Sequence, residues 1–236
     1  SLLRVEPPAT MTAEPRASSH PVAPVRLARQ TSIRVARAPS PSRQGATRKE
    51  SRSRAKSRPH QPNRRPNTAM NTTRGADSTP YLIAGSGQGG YDNIIMGPTD
   101  RLLEDGDVLI IDTGTTFDGY FCDFDRNFAF GHIADDTRRA HETVYRATDA
   151  GFSAARPGIT MAEVWAAMWE ILESGGALDN NVGRMGHGLG MQLTEWPSIK
   201  QTDHTVLEPG AVITLEPGMS FAPGRQLVHE ENIVIT

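Results

Sequence analysis

The chain has 236 residues, and its formal net charge of -2 conceals a sharp division. Residues 1–78 hold 16 of the 25 Lys+Arg and only 4 of the 27 Asp+Glu, whereas the remainder holds 9 basic and 23 acidic residues. Every Phe, Trp and Tyr stands at or beyond Tyr81. A segment rich in Arg, Pro and Ser and lacking aromatics cannot bury enough apolar surface to offset the entropy of ordering its backbone. Residues 1–78 are therefore expected to be disordered, and 79–236 to form the folded domain. The one cysteine, Cys122, excludes an internal disulfide and fits a reducing compartment. With no apolar run of membrane-spanning length and no secretory h-region, the expected location is cytoplasmic.

In chain order, Tyr81–Ala84 reads as a short strand ended by Gly85-Ser86-Gly87-Gln88-Gly89-Gly90. This loop lacks the Gly-Lys-Ser/Thr ending of a phosphate-binding loop. Asp105-Gly106-Asp107 is a turn leading into the apolar strand Val108–Ile111, and Asp118-Gly119 signals a tight hairpin whose partner strand covers about Tyr120 to Phe130. Asp135-Asp136 is expected to cap a helix running to about Ala155, before Pro157-Gly158. Thr160 and Glu163 form a capping box for a second helix ending at Gly175-Gly176. On it Trp165, Met168, Trp169 and Leu172 fall on one face and are expected to face the core. Strands return at Val212–Leu215 and Glu231–Ile235. Strands, two helices, then strands make an α+β protein.

The hairpin turn sets the chemistry. If Asp118 and Gly119 form a two-residue turn, position 112 lies opposite 125 and 114 opposite 123, so Asp112, Asp123 and Asp125 share one face. Carboxylates crowded at the end of an apolar strand repel one another unless a cation compensates them. A solvated acidic face is the bland alternative, but the apolar flanks favour a metal. His187 stands between glycines in Gly186-His187-Gly188-Leu189-Gly190, and Glu216 and Glu230 lie beside apolar strands. Such an oxygen-rich set with one imidazole suits divalent manganese, iron, cobalt or zinc, and two ions would neutralise it better than one.

These residues in this order, with Leu215-Glu216-Pro217-Gly218 and a Glu before Ile233-Val234-Ile235-Thr236, resemble the pita-bread metallopeptidases. That superfamily comprises the methionine aminopeptidases, Xaa-Pro aminopeptidases, prolidases and creatinases. The resemblance covers nearly all of residues 81–236. It implies the pita-bread fold and a two-ion centre held by Asp112, Asp123, His187, Glu216 and Glu230, with Asp123 and Glu230 bridging. It also implies that the metals activate water and polarise a substrate carbonyl, that the substrate is a small molecule, and that the protein forms a homodimer. Strand alternation selects Glu230 over Glu231, and Cys122 points to the opposite face as a packing residue.

The sequence departs from the peptidases at three places. Thr194 stands where a second histidine follows the first by seven residues, Ile95-Met96 stands where another histidine precedes the Gly-Asp strand, and Asp125 replaces a hydroxyl residue. Threonine carries no proton near neutral pH as imidazole does. The runs Gly119–Phe128 and Gly186–Pro197 look similar to the dimethylsulfoniopropionate lyases of this fold. That likeness implies β-elimination releasing dimethyl sulfide and acrylate, with Asp125 or Glu195 as the base and Trp196 facing the sulfonium cation. An Xaa-Pro metallopeptidase is the alternative.

Relatives carry further structure before the position of Tyr81, so the domain is expected to be a C-terminal catalytic domain incomplete at its N-terminal side. The basic segment reads as the product of a truncated or frame-disrupted gene. Two further alternatives are an inactive fragment and a nucleic-acid-binding arm. The latter is weakly supported, because no aromatic interleaves the basic residues for stacking.

Overall fold

A computed structural model gives the structure of residues 35–36, 75–97, 99–179 and 183–236. The chain divides into units Ser1–Ser32 and Ile33–Thr236, and the described residues belong to the second. The expectation of disorder for 1–78 falls almost wholly outside the described residues.

Strand β1 (Val35–Ala36) runs parallel to the end of β4 (Tyr120–Phe130), which pairs antiparallel with β3 (Asp107–Phe117), itself paired with β2 (Ser78–Gln88). The β3–β4 turn is as tight as its sequence indicates, with positive φ at both central residues, 51° at Asp118 and 82° at Gly119. That pair of angles suits a type I′ turn, whose twist matches the flanking strands. The resulting register places Asp112 opposite Asp125 and Gly114 opposite Asp123. Strand β2 is longer than expected. It continues through Gly85, Ser86 and Gly87, because each pairs with a residue of the apolar run in β3. Pairing with a neighbouring strand overrides the weak strand preference of glycine.

Helix α1 (Asp135–Ala154) begins differently from its expectation. Its N-cap is Ala134, with no side-chain cap. Asp135 and Asp136 lie in the first turn, where Asp136 accepts from the Thr137 N–H and pairs with Arg225 at 2.7 Å. Helix α2 (Met161–Ser174) has the expected capping box, with Thr160 and Glu163 satisfying each other's backbone N–H groups. Met168 and Leu172 are fully buried, while Trp165 and Trp169 stack at 5.7 Å and pack on the margin of the core.

A second sheet has the order β10 (Glu231–Val234), β7 (Val212–Leu215), β5 (His187–Gly188), β6 (Glu195–Ser198), and β8 (Gly218–Ala222) pairs with β9 (Arg225–Val228). The core includes Ile110 from the first sheet, Val144 and Met168 from the helices, and Ile213 and Leu215 from the second. Side chains cross-link the hairpin to the C-terminal strands. Asn232 exchanges hydrogen bonds with the backbone N–H and C=O of Asp123, and Arg126 donates to the Glu230 carbonyl at 2.8 Å. These links bring the two acid-bearing segments together. Among the described residues, no helix is long and apolar enough to cross a membrane.

Candidate metal centre

Four segments converge on one buried cluster. The hairpin contributes Asp112, Asp123 and Asp125, the latter two almost fully buried. Strand β5 contributes His187, the residue after β7 contributes Glu216, and the residue before β10 contributes Glu230. One ligating atom each from Asp123, His187 and Glu230 lies within 4.8 Å of the others.

His187 is fixed from both sides. Its backbone N–H donates to the Thr214 hydroxyl at 3.1 Å, and its Nδ1 lies 2.8 Å from the Gly188 carbonyl. A carbonyl only accepts, so Nδ1 carries the proton and Nε2 faces the carboxylates. It lies 3.6 Å from Asp123 Oδ2 and 3.8 Å from Glu216 Oε1. The flanking glycines are needed for close approach: a Cβ on Gly188 would meet the Trp196 carbonyl oxygen at 2.6 Å. Burial disfavours the imidazolium, but the Asp123 contact, the Gly188 carbonyl and the Glu216 charge outweigh it and raise the His187 pKa.

The carboxylates are held in an environment that disfavours their charge. Burial, then repulsion from Asp123, pushes Asp112 up to about 7. Asp125 is raised well above its ordinary value by burial and then by Asp112, and Glu230 by burial and then by Glu216. Burial also raises Glu216, although His187 and Arg184 oppose the shift. Asp112 Oδ1, Asp125 Oδ1 and Glu230 Oε1 are buried without a hydrogen-bond partner among the described residues. Such orphaned acceptors cost several kcal/mol in the absence of a cation, on the order of 1–3 each for a neutral group and more for a charged one. The donor set therefore fits divalent metal, and of the five residues the sequence indicated, Asp123, His187 and Glu230 have ligating atoms close enough to share one ion. Glu231 pairs instead with Arg126 at 2.9 Å, as strand alternation requires.

The other site expectations divide. Asp125 lies inside the cluster. Glu195 is half-buried, and its carboxylate accepts from the Gln192 N–H at 2.8 Å, closing its own turn. Trp196 is 75% exposed on β6, and Thr194 is also exposed. Cys122 contacts the Thr115 hydroxyl at 3.0 Å, consistent with packing on the opposite face. Two contributors escaped the sequence reading. The Tyr81 phenol donates to Asp123 Oδ1, and Arg184 Nε lies 3.3 Å from Glu216 Oε1. The signal for Tyr81 was Gly114, a missing side chain on the acid-bearing face that leaves room for a ring from the next strand.

The profile of metallopeptidase family M24 matches residues 63–236, and the chain belongs to that family. It is 37% identical over 162 residues to the probable dipeptidase PepE of Mycobacterium tuberculosis, covering 68% of this chain and 43% of that protein. With the Xaa-Pro dipeptidase of Pyrococcus furiosus it shares 35% identity over 138 residues, 58% of this chain and 40% of that one. Among solved structures, dipeptidase PepE from Mycobacterium ulcerans superposes with a TM-score of 0.67 at 32% identity, over 72% of this chain and 46% of the other. The chain thus spans less than half the length of the curated relatives it matches. These likenesses establish the pita-bread fold and an enzyme superfamily whose similar members are named as dipeptidases.

Proposed function

We propose that residues 79–236 form the catalytic domain of a metal-dependent dipeptidase of the Xaa-Pro class. The observation that carries this reading is the convergence of Asp123, His187 and Glu230, with orphaned carboxylate oxygens beside them, on one buried point. In this reading Asp112, Asp123, His187, Glu216 and Glu230 hold two divalent ions of manganese, iron, cobalt or zinc. Such ions, when bound, supply Lewis-acid polarisation of a scissile carbonyl.

The chain's own residues supply the rest. Gly188 and Thr214 orient His187 so that Nε2 is the atom presented. Arg184 steadies Glu216, which with Asp123 faces His187 Nε2, at 3.8 and 3.6 Å. Asp125 and Glu195 remain proton-acceptor candidates, and exposed Trp196 offers an apolar surface to the substrate. A homodimer belongs to the same proposal, and elution volume on gel filtration checks it.

The β-elimination expected from resemblance draws no support from the comparisons, whose relatives are dipeptidases. Its basis was the absence of two histidines together with the likeness of the runs Gly119–Phe128 and Gly186–Pro197. That absence removes proton carriers but leaves the buried carboxylate and His187 cluster in place.

The test incubates the purified chain with Mn²⁺ or Co²⁺ and Xaa-Pro dipeptides, following free proline by chromatography. Release that needs metal and is lost in Asp123→Ala supports the reading. Bound metal without proline release would overturn it. Dimethyl sulfide release from dimethylsulfoniopropionate would reinstate the lyase.

A further inference from the structure

We propose that Asp125 is a sixth protein ligand of this centre, and that with Asp112 and Glu230 it forms an all-oxygen position chemically unlike the one beside His187. The inference rests on the metal-centre reading above and concerns how the two ions are shared out.

Four observations carry it. First, Asp125 stands directly opposite Asp112 in the β3–β4 ladder, so the two side chains project from the same face at neighbouring positions. Secondly, Asp125 is 3% exposed, and its Oδ1 has no hydrogen-bond partner among the described residues. One oxygen of Asp112 and one of Glu230 share that condition. The three orphaned oxygens thus belong to Asp112, Asp125 and Glu230, whereas Nδ1 of His187 is engaged by the Gly188 carbonyl.

Thirdly, the nearest cation is committed elsewhere. Arg126 follows Asp125 in sequence, yet its guanidinium donates to the backbone carbonyls of Asp125 and Glu230 and to the Glu231 carboxylate. None of these bonds reaches the Asp125 side chain. Arg126 thus offers Asp125 its charge through space but no hydrogen bond; a buried carboxylate oxygen with no donor is costly, and a metal ion would compensate it.

Fourthly, one oxygen of Asp123 already accepts a hydrogen bond. Tyr81, Gly114 and Asp123 form one row across β2, β3 and β4. The Tyr81 ring lies over Gly114, where a Cβ would meet its Cε1 at 2.5 Å, and the phenol donates to Asp123 Oδ1. Asp123 Oδ2 is then the oxygen turned towards His187. Asp125, two residues further along the same strand and on the same face, offers an oxygen that no such bond engages.

The two positions should differ in preference. Carboxylate oxygens alone suit hard ions such as Mn²⁺ or Mg²⁺, whereas the imidazole of His187 favours zinc, cobalt or iron. The competing explanation is that Asp125 is kept as a neutral acid with no metal role. Asn imitates that neutral acid in shape, so Asp125→Asn separates the two.

The experiment titrates the metal-free full chain with Mn²⁺, counts bound ions after gel filtration, and records the electron paramagnetic resonance spectrum. Wild type is expected to bind two ions with an exchange-coupled spectrum. Asp125→Asn and Asp125→Ala should keep one ion with an uncoupled spectrum and bind the second at least about tenfold more weakly. Circular dichroism of the metal-free proteins confirms folding, and the alanine variant stands in if asparagine is not tolerated. Two ions bound with wild-type affinity in either folded variant would overturn the assignment, as would a single ion in wild type. No bound ion in wild type would overturn the metal-centre reading itself, which is a different failure.

Discussion

On the hairpin, Asp112 and Asp125 each leave a buried carboxylate oxygen without a partner, whereas on the C-terminal sheet His187 and Glu216 are each gripped by neighbours. His187 has Thr214 and Gly188, and Glu216 has Arg184. One half of the centre is thus held in shape by hydrogen bonds that exist without metal. In the other half, bonds from Tyr81, Asn232 and Arg126 hold Asp123 and the backbone, but Asp112 and Asp125 are placed by strand register with their charges opposed. The lesson is that a metal site need not be uniformly preorganised: the fold fixes one set of ligands, and the cation stabilises the other.

Breaking the hairpin half should have the largest effect on stability. Gly114→Ala places a methyl group 2.5 Å from Tyr81 Cε1 and 2.6 Å from the Cys122 carbonyl oxygen. It is expected to destabilise the chain by about 2–3 kcal/mol, read from urea unfolding, because the ring and the strand cannot both stay in place.

The contrast sharpens with pH in the metal-free protein. Asp112 in the fold is raised to about 7, above its unfolded value near 4, so the folded state holds the proton more tightly. This contribution to stability is whole below about pH 4 and is lost as pH rises through about 7. The metal-free melting temperature should therefore fall over that interval. Saturating Mn²⁺ should reverse the trend, because metal binds the ionised form. A melting temperature independent of pH in both states would remove the electrostatic opposition assigned to the hairpin.

The smallest effect is expected away from both halves. Thr160→Ala removes the cap of α2 and should cost about 1 kcal/mol in unfolding while leaving metal stoichiometry unchanged. A change in bound metal there would mean that the helices shape the centre.

Local signals made much of this legible beforehand. The Asp118-Gly119 turn fixed the hairpin register, and with it the common face of Asp112, Asp123 and Asp125. Alternation along the last strand separated Glu230 from Glu231. What could not be read depends on partners distant in sequence. The length of β2 and the placement of Tyr81 follow from pairing with β3, which no turn specifies. The start of α1 was misjudged because Asp136 is drawn to Arg225, a residue 89 positions away. The reaction was the least legible part, because a ligand set common to many chemistries does not specify which bond is broken.

The bonds between Asn232 and the backbone of Asp123 span 109 residues. During synthesis the hairpin can form soon after Phe130 leaves the ribosome, since its contacts are local. Its acidic face must then wait for the last strand to emerge. Closing so long a loop is slow compared with forming a turn or a helix. The cluster is accordingly among the last parts of the molecule to assemble, and on the proposed function ion uptake would mark completed folding.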